Sequence, residues 1–311
     1  MLSLYSSSPF FSELYNSLPE EEVMARKGGT EATIPAADGF ALAATVFEPK
    51  SNAQYVTIIS AAMATPRRLY DVYARYLSRV GHFVVTYDYR GIGDSRPENL
   101  KGFPARMRDW AENDMSGVIM WARAQCSPCP LILIGHSFGG QAAGLLEDTA
   151  DVSAMVTVSA QSGYWGLHPG NEKYRVWFFA HIGFWLLSSL YGYLPWSRFA
   201  PGEDLPKQAA LEWAGWSRSP DYLCGDRTLE SRRNFPRFTA PILAYSFSDD
   251  VWGSARSVDA MMSYYTGASL ERRHVTPDDL GVDKIGHIGF FMPTARSLWR
   301  EVDAWLAEKT M

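Results

Sequence analysis

The stretch Pro-Leu-Ile-Leu-Ile-Gly-His-Ser-Phe-Gly-Gly, residues 130–140, decides the fold of this chain. Its first five residues are an apolar run typical of a buried strand, and residues 141–146 continue with the small and apolar residues of a helix. Ser137 stands between Gly135 and Gly139 at this junction, which predicts a sharp strand-to-helix turn that exposes its hydroxyl above a sheet. A serine that only caps a helix would leave both glycines unexplained.

Apolar runs alternate with helical patterns on both sides of this turn. Such alternation predicts βαβ units and a mostly parallel central sheet that is flanked by helices, which is an α/β fold. An opening β-hairpin is expected over residues 32–49 and a closing amphipathic helix over 293–308. The other predicted strands are Tyr55–Ser60, His82–Tyr87, 130–134, 153–159, 241–245 and 269–275, and the helices between the first of them are 67–80 and 104–125.

One region departs from this alternation. Residues 164–240 contain no clear strand pattern and are rich in Trp, Tyr and Phe. Within them, residues 176–196 lack Asp, Glu, Lys and Arg, but interior Gly, Ser, His and Pro residues argue against a membrane span. We therefore predict a lead-in over 1–30, a core formed by 31–163 and 241–311, and an aromatic-rich helical lid over 164–240.

The composition excludes several classes of protein. A hydrophobic content of 47% fits a globular chain, and a net charge of −5 without a basic run argues against nucleic-acid binding. Three cysteines are typical of a reduced cytoplasmic protein, and the Cys126–Cys129 spacing is interpreted as an incidental loop feature. Residues 1–22 lack the basic start and the apolar core of a signal peptide, which also predicts a cytoplasmic location.

Five short motifs, taken in order, carry a resemblance to a known family. They are Ser60–Ala64, Tyr87–Ser95, Gly135–Gly140, Ser248–Asp250 and Gly286–Phe291. Together they resemble the α/β-hydrolase superfamily, and more closely the uncharacterised predicted hydrolases near its serine-aminopeptidase and monoglyceride-lipase-like branch. The resemblance covers roughly residues 30–308 and implies the α/β-hydrolase fold, with Ser137 as the nucleophile on its elbow.

A nucleophilic serine needs a general base, and that base needs an acid to orient it. The family order of Ser, acid and His implies that His287 is the base, because it follows the last predicted strand and precedes the closing helix. The acid follows the strand 241–245, where Asp249 and Asp250 are adjacent. Alignment with the family pattern favours Asp250, and Asp249 stays the alternative.

The oxyanion hole in this family uses two backbone N–H groups. The resemblance implies that one belongs to Phe138, directly after the nucleophile, and the other to Met63, with Ala62 as the less favoured donor. In this chain Ala61 and Ala62 replace the usual His-Gly of that loop. Backbone donors tolerate such side-chain changes.

The resemblance implies a serine hydrolase that cleaves an ester or related acyl bond of a partly apolar small molecule, with no metal or organic cofactor. Acyl transfer and a catalytically silent binding protein are the alternatives, and shallow membrane contact of the lid is a lesser one. Aminopeptidase activity would need lid carboxylates to hold a substrate ammonium. The candidates for that role are Glu172, Glu203, Asp204 and Glu212.

Overall fold

The computed structural model describes residues 29–310, so nearly all of the predicted lead-in 1–30, and the segment 1–22 that was tested for a signal peptide, lie outside the described residues. In the described part, the strands are β1 (Thr30–Pro35), β2 (Ala41–Phe47), β3 (Tyr55–Ser60), β4 (His82–Tyr87), β5 (Leu131–His136), β6 (Val152–Val158), β7 (Tyr193–Leu194), β8 (Leu205–Pro206), β9 (Ile242–Phe247) and β10 (Leu270–Val275).

Eight of these strands form one sheet in the order β1-β2-β4-β3-β5-β6-β9-β10. Only β2 runs antiparallel to its neighbours, and the pairings from β4 through to β10 are all parallel. Every residue of β5 and of β9 is buried, which requires cover on both faces of the sheet. The predicted mostly parallel central sheet is therefore confirmed.

Helices supply that cover. Among residues 29–310 the α-helices are α1 (Asp71–Arg79), α2 (Met107–Asp109), α3 (Ser116–Gln125), α4 (Phe138–Ala142), α5 (Glu172–Phe178), α6 (Phe184–Tyr191), α7 (Lys207–Ser217), α8 (Ala255–Met262), α9 (Pro277–Leu280) and α10 (Arg296–Thr310). The predicted helix 67–80 begins with a 3₁₀ turn, Arg67–Tyr70, and the predicted helix 104–125 contains a π-helical segment, Trp110–Met115.

Residues 164–240 lie between β6 and β9 and are mostly helical. A π-helical segment, Phe179–Gly183, joins α5 to α6. Two strands of two residues each, β7 and β8, pair antiparallel after α6, so the segment contains a small hairpin that its sequence pattern does not show. Between residues 29 and 310 no helix combines the length and the apolar character that a bilayer span requires.

The interpretation of Cys126 and Cys129 as an incidental, unbonded pair is wrong. Their Cα atoms are 5.8 Å apart, within the range that a disulfide bridges, and the structure joins the two residues by a disulfide in the loop before β5. Cys224 is a free thiol. The cysteine-based argument for a reducing compartment therefore loses its main support.

The turn from β5 into α4 is possible only because glycines flank Ser137. A Cβ at Gly139 would overlap the Ser60 carbonyl at the end of β3, and a Cβ at Gly135 would overlap the backbone of Gly140. These close contacts bring α4 against the carboxyl ends of β3 and β5. Both glycines are thus required by backbone packing, as the motif predicts.

We expect Gly139→Ala to destabilise the fold by about 1–3 kcal/mol or more, because the new methyl group meets backbone that cannot move aside. Gly215 in α7 is the matched control, since a Cβ there meets only the end of the Arg218 side chain at 3.8 Å. Gly215→Ala should raise stability by about 0.5–1 kcal/mol through helix propensity. Urea unfolding measures both changes, and equal stabilities would contradict the packing argument.

Candidate active site

Ser137 occupies a strained backbone position between β5 and α4. Its φ of 50° and ψ of −112° lie in a region that non-glycine residues rarely adopt. The Ser137 N–H donates to the Val158 carbonyl at 2.8 Å, which ties the turn to the end of β6. The surrounding structure therefore holds the strain, as is typical of functional sites.

The Ser137 hydroxyl points to a glutamine in this structure. Its Oγ donates to Gln161 Oε1 at 3.3 Å, and no hydrogen bond within residues 29–310 joins it to His287. Gln161 is buried, and its backbone carbonyl accepts a hydrogen bond from Gln141 Nε2 at 2.7 Å. Gln141 Oε1 in turn accepts from the Tyr222 hydroxyl at 3.1 Å, which connects the Ser137 environment to the insertion 164–240.

The structure brings the predicted base and the favoured acid together. His287 Nδ1 donates to Asp250 Oδ2 at 2.8 Å, and the Asp250 carboxylate is 1% exposed while the imidazole is 23% exposed. A carboxylate can only accept, so Nδ1 carries a proton, and in the neutral form of the ring Nε2 then has the lone pair. Nε2 is the atom that a general base needs to have free.

Asp250 remains ionised despite its burial. Burial would raise the pKa of its carboxyl, but the interaction with the neighbouring His287 ring and hydrogen bonds outweigh that effect and hold the pKa below the ordinary value of 3.8. The Trp252 N–H also donates to Asp250 Oδ1 at 2.9 Å.

Asp249, the alternative acid, has a different position. Its Oδ2 accepts the N–H groups of Ile285 and Gly286 at 2.8 and 2.9 Å. It therefore binds the backbone that leads into His287 and does not bind the imidazole. Adjacent acids thus divide two tasks: Asp249 holds the loop, and Asp250 orients the ring.

A second histidine, His136, directly precedes Ser137 and binds the loop that carries His287. We call this segment the base loop. His136 Nε2 donates to the His287 carbonyl at 2.8 Å, and the two rings are 4.8 Å apart. Burial lowers the pKa of His136 well below its ordinary 6.5, and the nearby His287 ring lowers it further, so the His136 ring is neutral. With Nε2 as the donor, Nδ1 must accept, and the Tyr70 hydroxyl donates to it at 2.8 Å.

The same tyrosine binds one of the two predicted oxyanion donors in the loop after β3. The Ala62 N–H donates to the Tyr70 hydroxyl oxygen at 2.9 Å, so this group is already engaged. None of the hydrogen bonds described for residues 29–310 involves the Met63 N–H. The Phe138 N–H is the first of α4 and has no partner within that helix. The contacts therefore favour Met63 with Phe138.

The insertion 164–240 contacts the loop that carries the acid. His168 Nδ1 lies 3.4 Å from the Val251 carbonyl oxygen, and the Arg175 guanidinium is 5.3 Å from the Trp252 ring centre. Because the Trp252 N–H binds Asp250, these contacts place the start of the insertion beside the acid and base.

A cavity of about 480 Å³ lies elsewhere, beside α7. None of Ser137, Asp250 and His287 lines it. Its charged walls are largely neutralised, because Arg108 forms ion pairs with both Glu212 and Asp226. We therefore assign the site at Ser137 and not to this cavity.

Three residues of the site are absent from the sequence-based prediction. His136 is adjacent to Ser137 in the sequence, and no sequence pattern shows that its ring binds the His287 carbonyl. Gln161 carries a usable signal, since it is a polar residue just beyond the apolar strand β6. Tyr70 lies in the 3₁₀ turn before α1, and nothing in the sequence around it predicts a place in the site.

Comparison with known proteins gives the family. The model of the Alpha/beta hydrolase family matches residues 61–296. The chain belongs to the α/β-hydrolase family, which confirms the superfamily and fold class predicted from the motifs. No curated protein sequence matches the chain.

Solved structures of the same fold include several esterases. An esterase from Pyrococcus furiosus has a TM-score of 0.58 and 14% identity over 94% of each chain. An esterase from Exiguobacterium antarcticum has a TM-score of 0.56 and 16% identity, covering 89% of this chain and 100% of the other. The esterase domain of a Rhodothermus marinus protein has a TM-score of 0.57 and 15% identity, covering 91% and 99%. At such identities the likeness shows the fold alone.

The Tyr70 hydroxyl should be important for stability, because it satisfies two buried groups, the Ala62 N–H and His136 Nδ1. Tyr70→Phe should lower the free energy of unfolding by about 1–3 kcal/mol. Tyr73, also fully buried, is the matched control, since its hydroxyl has no hydrogen-bond partner within the described residues. Tyr73→Phe should be neutral or slightly stabilising, and urea unfolding that ranks the two variants the other way would refute this network.

Proposed function

We propose that this chain is a serine hydrolase that cleaves an ester or related acyl bond of a partly apolar small molecule through an acyl-enzyme. The observation that carries the proposal is the hydrogen bond between His287 and the buried Asp250 at 2.8 Å. His136, the residue before Ser137, binds the His287 carbonyl and so ties this pair to Ser137. The esterases that share its fold support the same class of reaction.

In the proposed first step, Ser137 Oγ turns from Gln161 toward His287 Nε2 and attacks the carbonyl carbon of the substrate. Its proton passes to Nε2, and Asp250 stabilises the resulting imidazolium. Negative charge collects on the former carbonyl oxygen, where the N–H groups of Phe138 and Met63 would stabilise it.

The tetrahedral intermediate then collapses. The bond to the leaving alcohol breaks, and the alcohol takes the proton from His287, which leaves the acyl group on Ser137. Water attacks this ester by the same route, with His287 as the base, and releases the acid. An alcohol in place of water would give acyl transfer from the same intermediate.

The insertion 164–240 supports an apolar substrate portion. It is rich in aromatic residues, and it contacts the acid loop through His168 and Arg175. In this proposal it serves as the lid over the site. An apolar pocket of that kind discriminates weakly between acyl chains, since one methylene contributes about 1–3 kcal/mol.

The aminopeptidase alternative loses support from the structure. It requires a free lid carboxylate for the substrate ammonium, and all four candidates are bound within the chain. Their partners are Arg175 for Glu172, the Gly93 N–H at 2.7 Å for Glu203, the Ser197 hydroxyl at 2.7 Å for Asp204, and the Arg108 N–H at 2.9 Å for Glu212. The cytoplasmic location stays a prediction.

A fluorophosphonate probe tests the nucleophile and also separates an active enzyme from a silent binding protein. Wild-type protein should be labelled covalently, because the probe reacts with a serine that a neighbouring base activates. Ser137→Ala should lose the label while it keeps the wild-type unfolding temperature. Folded wild-type protein that stays unlabelled would refute the hydrolase proposal, and a labelled Ser137→Ala would refute the assigned nucleophile.

The division of tasks between the adjacent acids is tested by Asp250→Asn and Asp249→Asn. Asp250→Asn should lower kcat for p-nitrophenyl ester hydrolysis by about 10³–10⁴-fold, because the amide no longer fixes the required tautomer. Asp249→Asn keeps an acceptor oxygen for the two N–H groups, so its loss should be below about tenfold. The reverse order would make Asp249 the acid.

A further inference from the structure

A helical segment of the insertion, residues 172–191, presents an exposed apolar face. We call it the outer face, and its most exposed members are Leu190, Trp185 and Tyr174, with 73%, 62% and 61% of their surface in water. From one turn to the next the members recur at spacings of three or four residues, with 177/178 and 185/186 as adjacent pairs, so they share one side of the helical segment. The complete outer face is Tyr174, Trp177, Phe178, Ile182, Trp185, Leu186 and Leu190.

The opposite side of the same segment is also apolar and already has its partners. Val176, Ala180 and Phe184 are buried, and the Phe184 ring lies 5.6 Å from that of Trp196 and 5.3 Å from that of Trp213. The segment is thus apolar on both sides, although only one side is covered. Such exposed patches mark contact with a protein or a membrane.

We propose that the outer face binds the surface of an anionic phospholipid layer, with the helical segment lying in the plane of the interface. This inference goes beyond the proposed function and does not depend on it. Two tryptophans and a tyrosine among the members suit this environment, because their rings bury an apolar body while a polar edge stays hydrated. A helix of this composition inserts its apolar side to the depth of the headgroups.

The charges around the outer face favour an anionic layer. Residues 171–200 contain three basic residues and one acidic residue, whereas the whole chain has a net charge of −5. Lys173 lies 5.0 Å from the Tyr174 ring at one end, and Arg198 lies 5.2 Å from the Tyr191 ring at the other. Lys101 packs against Gly192 at that second end. Cations at both ends can contact lipid phosphates while the middle is buried.

The same charges disfavour a second copy of this chain as the occupant. Because both ends of the outer face carry basic residues, pairing two copies in either direction sets cations against cations. Like charges placed opposite each other in an interface oppose association. A lipid surface meets both the apolar middle and the basic ends.

Flotation with vesicles tests the proposal. Full-length wild-type protein should float with vesicles of equimolar phosphatidylcholine and phosphatidylglycerol, and more weakly with pure phosphatidylcholine. The double variant Trp177→Ser, Trp185→Ser should bind at least about tenfold more weakly, because binding strength scales with the buried apolar area. Arg198→Glu should reduce the preference for anionic vesicles. Met120→Ser, at another exposed apolar side chain (57%) in α3, is the matched control and should bind as wild type.

Thermal unfolding of each variant shows that any loss of binding is not a loss of fold. Ser137→Ala should float as wild type does, because Ser137 is not part of the outer face. Vesicle binding therefore tests this proposal independently of the hydrolase proposal. Wild-type protein that binds neither vesicle, or a double variant that binds as wild type, would overturn the proposal. Sedimentation that shows a wild-type dimer and a monomeric double variant would assign the outer face to a second copy instead.

Discussion

The contact between Gly139 in α4 and the Ser60 carbonyl at the end of β3 leaves no room for even a methyl group. Because the helix meets the strand backbone to backbone, the loop that follows Ser60 lies beside the turn that carries Ser137. The first N–H of α4 and the N–H groups of that loop can then point to one place. Close packing of two backbones therefore sets the geometry on which every other part of the site depends.

Three side chains bind the base loop to the rest of the fold. Asp249 binds its backbone N–H groups, Asp250 binds the imidazole of His287, and neutral His136 binds the His287 carbonyl. Asp250 and His136 are buried, and burial of a carboxylate or an imidazole is costly unless it finds hydrogen-bond partners. Here each partner is also a part of the loop, so the same bonds that offset desolvation fix the position of His287.

The central sheet could be predicted from sequence because strands that are buried on both faces appear as continuous apolar runs, as β5 and β9 do. The π-helical and 3₁₀ segments could not, since tertiary packing selects them over the α-helix without a change in periodicity. The pairing of Cys126 with Cys129 escaped prediction for a similar reason, because it depends on loop geometry.

Order along the chain selected Ser137 and His287 as candidates, and alignment with the family pattern favoured Asp250 while Asp249 stayed open as the alternative. Both follow β9, both suit a turn, and only their distance from the imidazole distinguishes them. The hydrogen bond between Tyr70 and His136 could not be predicted from the sequence either. It joins two residues that are 66 positions apart, and no sequence pattern gives the directions of their side chains. The sequence therefore predicted which residues belong to the candidate site, whereas only the packed structure shows that Asp250 and not Asp249 contacts the imidazole.

The hydrogen bond from Ser137 to Gln161 has a kinetic meaning. A hydroxyl held by an amide oxygen is in a rotamer that cannot transfer its proton to His287, so any such transfer first requires a rotation of the Ser137 side chain into another rotamer. The observed rate of any reaction at Ser137 is scaled by the fraction in the other rotamer. If Ser137 is the nucleophile as proposed, Gln161 competes with His287 for its hydroxyl, and a substrate that takes over this hydrogen bond would raise that fraction.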